Sequence, residues 1–440
     1  MILNATFASL ALLSLALLLW QWLVARRFPV HRRVSDNSFT PDVTLLKPLK
    51  GCDSATENCL RSWFTQRYAG RVQILFAVAS AEDPVGAIVR RLQQEFPGHD
   101  AQLVVCGPLF GANAKVSKLA QLELLAKHDL LVISDADVRV PPDFLANVVA
   151  PLRESVPFSE SADAGFHAER GHSCPQQRAS WEPGTESAPH DLSEVAADRN
   201  VRAPLRPCAL VNCFYRLANP TTTAMQWEAI AINADFWSQV LQSRSLKPLD
   251  FALGAVMVVR RRQLEEIGGF DGLKDCLADD YQLGNRLARR GYRLELSPVV
   301  VECCSEAMDW SAVWKHQLRW ARTIRVCQPG PYFFSILSNP TLWPLLWVAI
   351  CPGVPSLAFF GGSWLVRAFV ALNLQALLHL PPSNPSDRSD RSDSPLSWLW
   401  LVPLKDLLQA ALWLMAYLGN HVEWRGQRFR LRRDGLLVKI

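Results

Sequence analysis

No Cys-x-x-Cys pair occurs among the eleven cysteines of this 440-residue chain. Cys303 and Cys304 are adjacent and lack finger spacing, which argues against a zinc module or a disulfide scaffold. Reduced thiols in a cytosolic domain are the simplest expectation. Charge is scarce as well: charged residues make up 20% and the net charge is +5. The basic residues are not gathered on one soluble stretch, so nucleic acid is not an expected partner. Residues 1–25 carry no charged side chain at all. Apolar residues, by contrast, reach 49%, which excludes bulk disorder. The 16 tryptophans lie mostly in or near apolar segments, as expected at a membrane–water boundary. The length allows roughly two or three domains.

At ~1.5 Å per residue a helix over 1–25 is about 37 Å long, enough to cross a ~30 Å hydrocarbon core. Arg26, Arg27, Arg32 and Arg33 follow at once and place the next segment in the cytoplasm by the positive-inside rule. A cleaved signal peptide fits less well, because no basic residue precedes the apolar run. The stretch 341–380 reads as a hairpin of two spans divided at Gly361 and Gly362. A third apolar run, 396–418, has Lys405 and Asp406 at its middle and is expected not to cross fully. The tail 421–440 is basic and therefore expected to be cytoplasmic.

Between about 40 and 330, short apolar runs alternate with amphipathic ones. Strands are expected at 43–47, 72–79, 102–106, 130–134, 209–213, 255–260 and 296–302. Helices are expected at 55–66, 84–95, 116–127, 262–266 and 280–290. This alternation predicts an α/β domain on a mostly parallel sheet, with ligands beyond the carboxyl ends of its strands. Residues 156–205 break the pattern and read as a disordered insertion, while 381–394 reads as a polar loop.

Five local signals carry chemistry. In LLVISDADVRV, a buried-looking strand ends in Asp135-Ala136-Asp137. Carboxylates at i and i+2 can share Mg²⁺ or Mn²⁺ with phosphate oxygens, although two solvated acids also fit. Asp279-Asp280 opens an expected helix, where an acid is good terminal chemistry. Asp280 equally suits a general base at the rim of the sheet. Asp83, before Pro84, reads as an N-cap or as a nucleotide contact. The helix 309–325 is amphipathic, basic and rich in tryptophan, which suits a membrane interface. Within it, Arg319 matches a diphosphate leaving group and Trp320 can wall an acceptor pocket. Lys115, in NAKVSK, reads as a phosphate contact or as a solvated lysine.

The order of these signals resembles a known series. Asp83, Asp135-Ala-Asp137, Asp279-Asp280 and Arg319-Trp320 resemble the D, D, D, (Q/R)xxRW pattern of family 2 and family 21 glycosyltransferases. The segments LLKPLKGCD (45–53), LDFALGAVMVVRR (249–261) and WRGQRFRLRRDG (424–435) also resemble ceramide glucosyltransferases, and in particular their bacterial hopanoid-biosynthesis branch. The likeness covers nearly the whole chain except 156–205 and 381–394. It implies a GT-A catalytic domain at 40–330, an N-terminal anchor at 1–25, and a C-terminal membrane region at 331–420 ahead of the basic tail. It implies that Asp83 contacts the uridine part, that Asp135 and Asp137 bind a metal–diphosphate, and that Asp280 is the base. Position 316 departs from the pattern, with His316 where Gln or Arg is usual and Gln317 one residue late.

The expectation is an inverting, metal-dependent transfer of a hexose or N-acetylhexosamine from UDP-glucose or UDP-GlcNAc. The acceptor is a lipid hydroxyl, ceramide-like or hopanoid. The setting is a multi-pass protein of the inner membrane whose catalytic domain faces the cytoplasm. A processive polysaccharide synthase and a non-catalytic nucleotide-sugar-binding membrane protein are the rival readings.

Overall fold

Short apolar runs bounded by turn residues become strands when both their faces can be covered. The computed structural model describes residues 1–36, 38–153, 207–379, 398–424, 427–432 and 435–439. The readings given to 156–205 and 381–394 lie outside the described residues. The main sheet contains β1 (Val43–Pro48), β2 (Val72–Val78), β3 (Asp100–Val105), β4 (Leu130–Ser134), β5 (Val138–Arg139), β6 (Cys208–Leu217), β7 (Val256–Arg260) and β8 (Arg293–Cys303). Each expected strand is present, and β6 and β8 run longer than expected. The order is β3-β2-β1-β4-β7-β6-β8-β5.

β1 pairs in parallel with β2 and β4, so Leu46 lies between Leu75 and Ile133. β2 and β3 are parallel, as are β6 and β8, while β7 runs antiparallel to both its neighbours. Helices Thr56–Phe64, Val85–Glu95 and Ala114–Glu123 make the crossovers between β1 and β4. The chain leaves β1 toward β2 and β3, then returns to lay β4 on the other side of β1. Such a reversal is where doubly wound sheets bind ligands, beyond the strands' carboxyl ends. The motifs of β1 and β4 both end there.

β1 and β4 are buried along their whole length. Leu46, Leu131 and Ile133 enter one core, and Leu45, Leu130 and Val132 enter the other. The first core continues into Leu18 and Ala25 of the helix Ile2–Arg27 and into Val370, Ala371 and Leu374 of the helix Val354–Leu378. The long apolar helices therefore share a core with the sheet. Trp22 Nε1 donates to Asn373 Oδ1 at 2.9 Å, and Gln21 Nε2 to Gln242 Oε1 at 3.0 Å.

Those two helices are long and apolar enough to cross a membrane. Pro329–Ser338 and Leu342–Ile350 together form a candidate third span, bent by 56°. The expected break at Gly361 and Gly362 is not present. The helix Val354–Leu378 runs through both glycines, and the chain breaks at residues 351–353 instead. Pro352 has no N–H and disfavours helical backbone at the residue before it. A Cβ at Gly361 or Gly362 meets nothing within 4 Å, and glycine alone costs a helix only about 1 kcal/mol. The helix Leu401–Tyr417 has 17 residues, about 26 Å, less than a ~30 Å core.

Lys405 and Asp406 on that helix join a larger charge cluster. Arg367 is bidentate to Asp235, at 2.9 Å to each oxygen, and reaches Asp406 at 2.8 and 3.0 Å. Lys405 pairs with Asp235 and lies 3.7 Å from Asp406. Two cations and two anions thus neutralise each other in the interior, which burial of charge requires. Arg367→Met leaves two buried carboxylates facing one ammonium. It is expected to cost about 3–5 kcal/mol, seen as a lower thermal midpoint of the detergent-solubilised protein.

The basic C-terminal segment folds as a small antiparallel sheet, β9 (His421–Trp424), β10 (Gln427–Leu431) and β11 (Leu437–Lys439). It props the loop ahead of Asp279: Leu277 N–H donates to Gly435 O at 3.0 Å, and Leu437 N–H to Asp275 O at 2.8 Å.

Candidate active site

The β4 turn is fixed through its backbone. Lys47, buried on β1, donates to Ser134 Oγ at 3.1 Å and to Asp135 O at 2.7 Å. Burial lowers its ammonium to about 8. Asp137 O accepts from Cys304 N–H at 2.9 Å and from the Cys59 thiol at 3.3 Å. The Asp137 carboxyl is pushed up to about 6, first by burial and then by the charge of Asp135.

Lys115 joins the two acidic motifs. Its Nζ lies 2.7 Å from Asp135 Oδ1 and 3.2 Å from Asp279 Oδ2. The side chain is buried, so the solvated reading of this lysine is wrong. Burial opposes its charge, but Asp135 and Asp279 outweigh that and hold the ammonium well above its ordinary range. Its placement comes from Asn113, the N-cap of the helix Ala114–Glu123. Asn113 Oδ1 accepts from Lys115 N–H at 3.0 Å and Val116 N–H at 3.2 Å. Asn113 Nδ2 donates to Cys276 O at 2.8 Å, which ties this helix to the loop before Asp279. Asn before an expected helix was the sequence signal for this role.

Asp280 sits in the first turn of the helix Asp279–Arg289, with Oδ1 accepting from Tyr281 N–H at 2.7 Å. Burial, then Asp279, raises its carboxyl to about 6, with Lys115 pulling the other way. The sequence reading missed Gly254, before β7. A Cβ there would lie 2.6 Å from Asp280 Oδ2. Gly254→Ala is therefore expected to displace that carboxylate. A loss of about 10²-fold in kcat with unchanged UDP affinity is the anticipated result, read by initial rates and calorimetry.

The Asp83 carboxylate is held by backbone donors. It accepts from Gly51 N–H at 3.0 and 3.2 Å and from Val85 N–H at 3.2 Å. Gly51 has φ +68°, a left-handed value that favours glycine. Asp83 therefore joins the loop after β1 to the start of the helix Val85–Glu95, whose cap is Pro84, one residue later than expected.

His316, Arg319 and Trp320 lie on the helix Trp310–Cys327, capped by Asp309 at Ala312 N–H, 2.8 Å. His316 Nδ1 and Gln317 Nε2 meet the same oxygen, Glu228 Oε1, at 2.6 and 2.8 Å. Trp320 packs 4.8 Å from the His316 ring, 6.0 Å from Phe236 and 6.5 Å from Tyr215. Arg319 is half-buried one turn from His316. Tyr215 bridges this group to the acids: burial, then the charges of Cys303, Asp280, Glu228 and Asp135, raise its phenol.

The structure thus gathers Lys115, Asp135, Asp137, Asp279 and Asp280, with His316 and Trp320 reached through Tyr215. Among the described residues no group of three or more His, Cys, Asp or Glu side chains is arranged to hold a metal ion alone. Asp135 and Asp137 supply hard oxygens and fit Mg²⁺ or Mn²⁺ when a donor's diphosphate completes the shell.

The chain matches Glycosyl transferase family 21 over residues 6–172 and 199–437. It is 20% identical over 429 residues to ceramide glucosyltransferase 3 of Caenorhabditis elegans, covering 94% of this chain and 77% of that one. It is 32% identical over 135 residues to a ceramide glucosyltransferase of Candida albicans, covering 28% of this chain and 25% of that protein. A mannosyltransferase from Pyrobaculum calidifontis, solved in complex with GDP-Man and Mn²⁺, is 18% identical. It aligns with a TM-score of 0.50 over 94% of this chain and 99% of that chain, a likeness of GT-A fold.

Proposed function

This chain belongs to glycosyl transferase family 21, and from that premise we propose an inverting, metal-dependent transfer of a sugar from a UDP-sugar to a lipid hydroxyl. The observation that carries the reading is the carboxylate cluster around Lys115 at the switch point between β1 and β4. The hexosyltransferase class follows from the family. The donor, glucose or N-acetylglucosamine, and the acceptor, ceramide-like or hopanoid, are part of the proposal. The hopanoid acceptor rests on the motif resemblance alone.

Asp280 takes the proton of the acceptor hydroxyl as its oxygen attacks the anomeric carbon from the face opposite UDP. Asp135 and Asp137 would hold the divalent cation, and Asp83 contacts the uridine part. A bound Mg²⁺ or Mn²⁺ supplies Lewis-acid stabilisation of the leaving diphosphate. Arg319 adds positive charge there, Lys115 balances the surrounding acids, and Trp320 walls the acceptor. The apolar helices that share the catalytic core hold an insoluble acceptor beside a soluble donor. Arg26, Arg27, Arg32 and Arg33 support a cytoplasmic catalytic face at the cell membrane.

The base works only when ionised. Since the Asp280 carboxyl is raised to about 6, kcat/KM is expected to fall about tenfold per pH unit below that value and to level off above it. A pH–rate profile measures this, and a profile flat down to pH 4 contradicts it. The function itself is tested with membranes, radiolabelled UDP-glucose or UDP-GlcNAc, Mn²⁺, and ceramide or a polyhydroxylated hopanoid in separate reactions. A labelled single-sugar lipid is expected. Label in polymer, or in no lipid despite UDP binding, counts against the reading.

A further inference from the structure

Position 316 departs from the motif, and its surroundings explain what a histidine does there. Glu228 lies on the helix Thr223–Ile230 and is 1% exposed. No Lys or Arg pairs with it in the structure's ion pairs among the described residues; its partners are His316 and Gln317. A carboxylate only accepts, so His316 Nδ1 carries the hydrogen of this 2.6 Å bond. The remaining ring nitrogen, Nε2, is then set in tautomer and orientation by the carboxylate, as in other carboxylate–imidazole pairs. Nε2 has no partner among the described residues, and the His316 side chain is 29% exposed.

Two further polar atoms on the same wall also lack hydrogen-bond partners among the described residues. They are the Tyr215 hydroxyl and the Trp320 indole N–H, whose rings are 6.5 Å apart. Tyr215 is half-buried and lies within the electrostatic reach of both Asp280 and Asp135. With the His316 ring fixed by Glu228 and the rings of Trp320 and Tyr215 packed beside it, this wall presents polar groups on an aromatic surface, which suits a hydroxylated ligand.

We propose that His316 Nε2 and the Tyr215 hydroxyl bind the hydroxyl-bearing head of the acceptor, with Glu228 as the positioning residue that fixes the His316 ring. The inference rests on the reading of this site as one that transfers sugar to a lipid hydroxyl. It makes the departure at 316 a determinant of acceptor binding rather than of donor binding. Trp320 then supplies the apolar floor, its ring tilted by 58° against that of His316 at 4.8 Å.

Tyr215→Phe, His316→Ala and Glu228→Gln test it in the full chain, reconstituted with UDP-glucose, Mn²⁺ and a short-chain ceramide. Each is expected to raise the acceptor KM about tenfold, the scale of one lost hydrogen bond, and to leave the donor KM and the UDP dissociation constant unchanged. Tyr215→Phe removes one oxygen and keeps the ring, so it reports even if His316→Ala folds poorly. A rise in donor KM or weaker UDP binding at unchanged acceptor KM overturns the proposal in favour of a diphosphate role. Lower thermal stability with both KM values unchanged overturns it in favour of a structural role. If the wild type binds UDP and glycosylates neither this ceramide nor a polyhydroxylated hopanoid, the underlying function fails, and this inference with it.

Discussion

An Asp280→Asn enzyme is expected to bind its UDP-sugar normally and to transfer almost none of it. The amide keeps the shape that Gly254 accommodates, and its oxygen still accepts from Tyr281 N–H. What it loses is the ability to take a proton. General-base catalysis supplies about 10²–10⁴-fold, so kcat should fall by that factor in single-turnover transfer. Stability should move the other way. The folded-state carboxyl is raised to about 6, so its ionised form opposes folding at pH 7. Removing that charge beside Asp279 is expected to leave the thermal midpoint unchanged or higher. Full turnover in the variant would mean that another group takes the proton.

The second large effect concerns the β4 acids. Chelation of divalent ions is expected to silence the wild type, and added Mn²⁺ or Mg²⁺ to restore it. Asp135→Ala should not be restored at the same ion concentration, with transfer lower by at least about 10²–10³-fold, the scale of one lost electrostatic contact to a developing charge. The fold should survive, because Lys115 keeps Asp279 at 3.2 Å and Lys47 grips the backbone carbonyl of residue 135 rather than its side chain. Initial rates against ion concentration measure this. A variant with wild-type metal dependence would remove Asp135 from the metal site.

The centre of the sheet was legible because β1 and β4 are buried on both faces and read as nearly unbroken apolar runs. The acids were legible because two carboxylates past a buried strand have little packing value. The helix Thr223–Ile230, the π-turn Ala231–Phe236 and the helix Trp237–Leu246 were not anticipated. The first two are covered on nearly every side, and the third mixes polar and apolar residues without a 3.6-residue period. Glu228 and Asp235 lie within them, and the meaning of each depends on a partner far away in sequence, His316 and Arg367. Gly254 was missed for a related reason: its constraint is the approach of Asp280 across the fold. The break placed at Gly361 and Gly362 shows that glycine weakens a helix, whereas the proline at 352 ends one.

The account requires a single displacement, with one base on the acceptor side and the diphosphate leaving from the other. The most direct test is the anomeric configuration of the product made from α-linked UDP-glucose, read from the coupling constant of the anomeric proton. A β-linked glycolipid is predicted. An α-linked product would mean that Asp280 does not act by in-line attack and would contradict the mechanism.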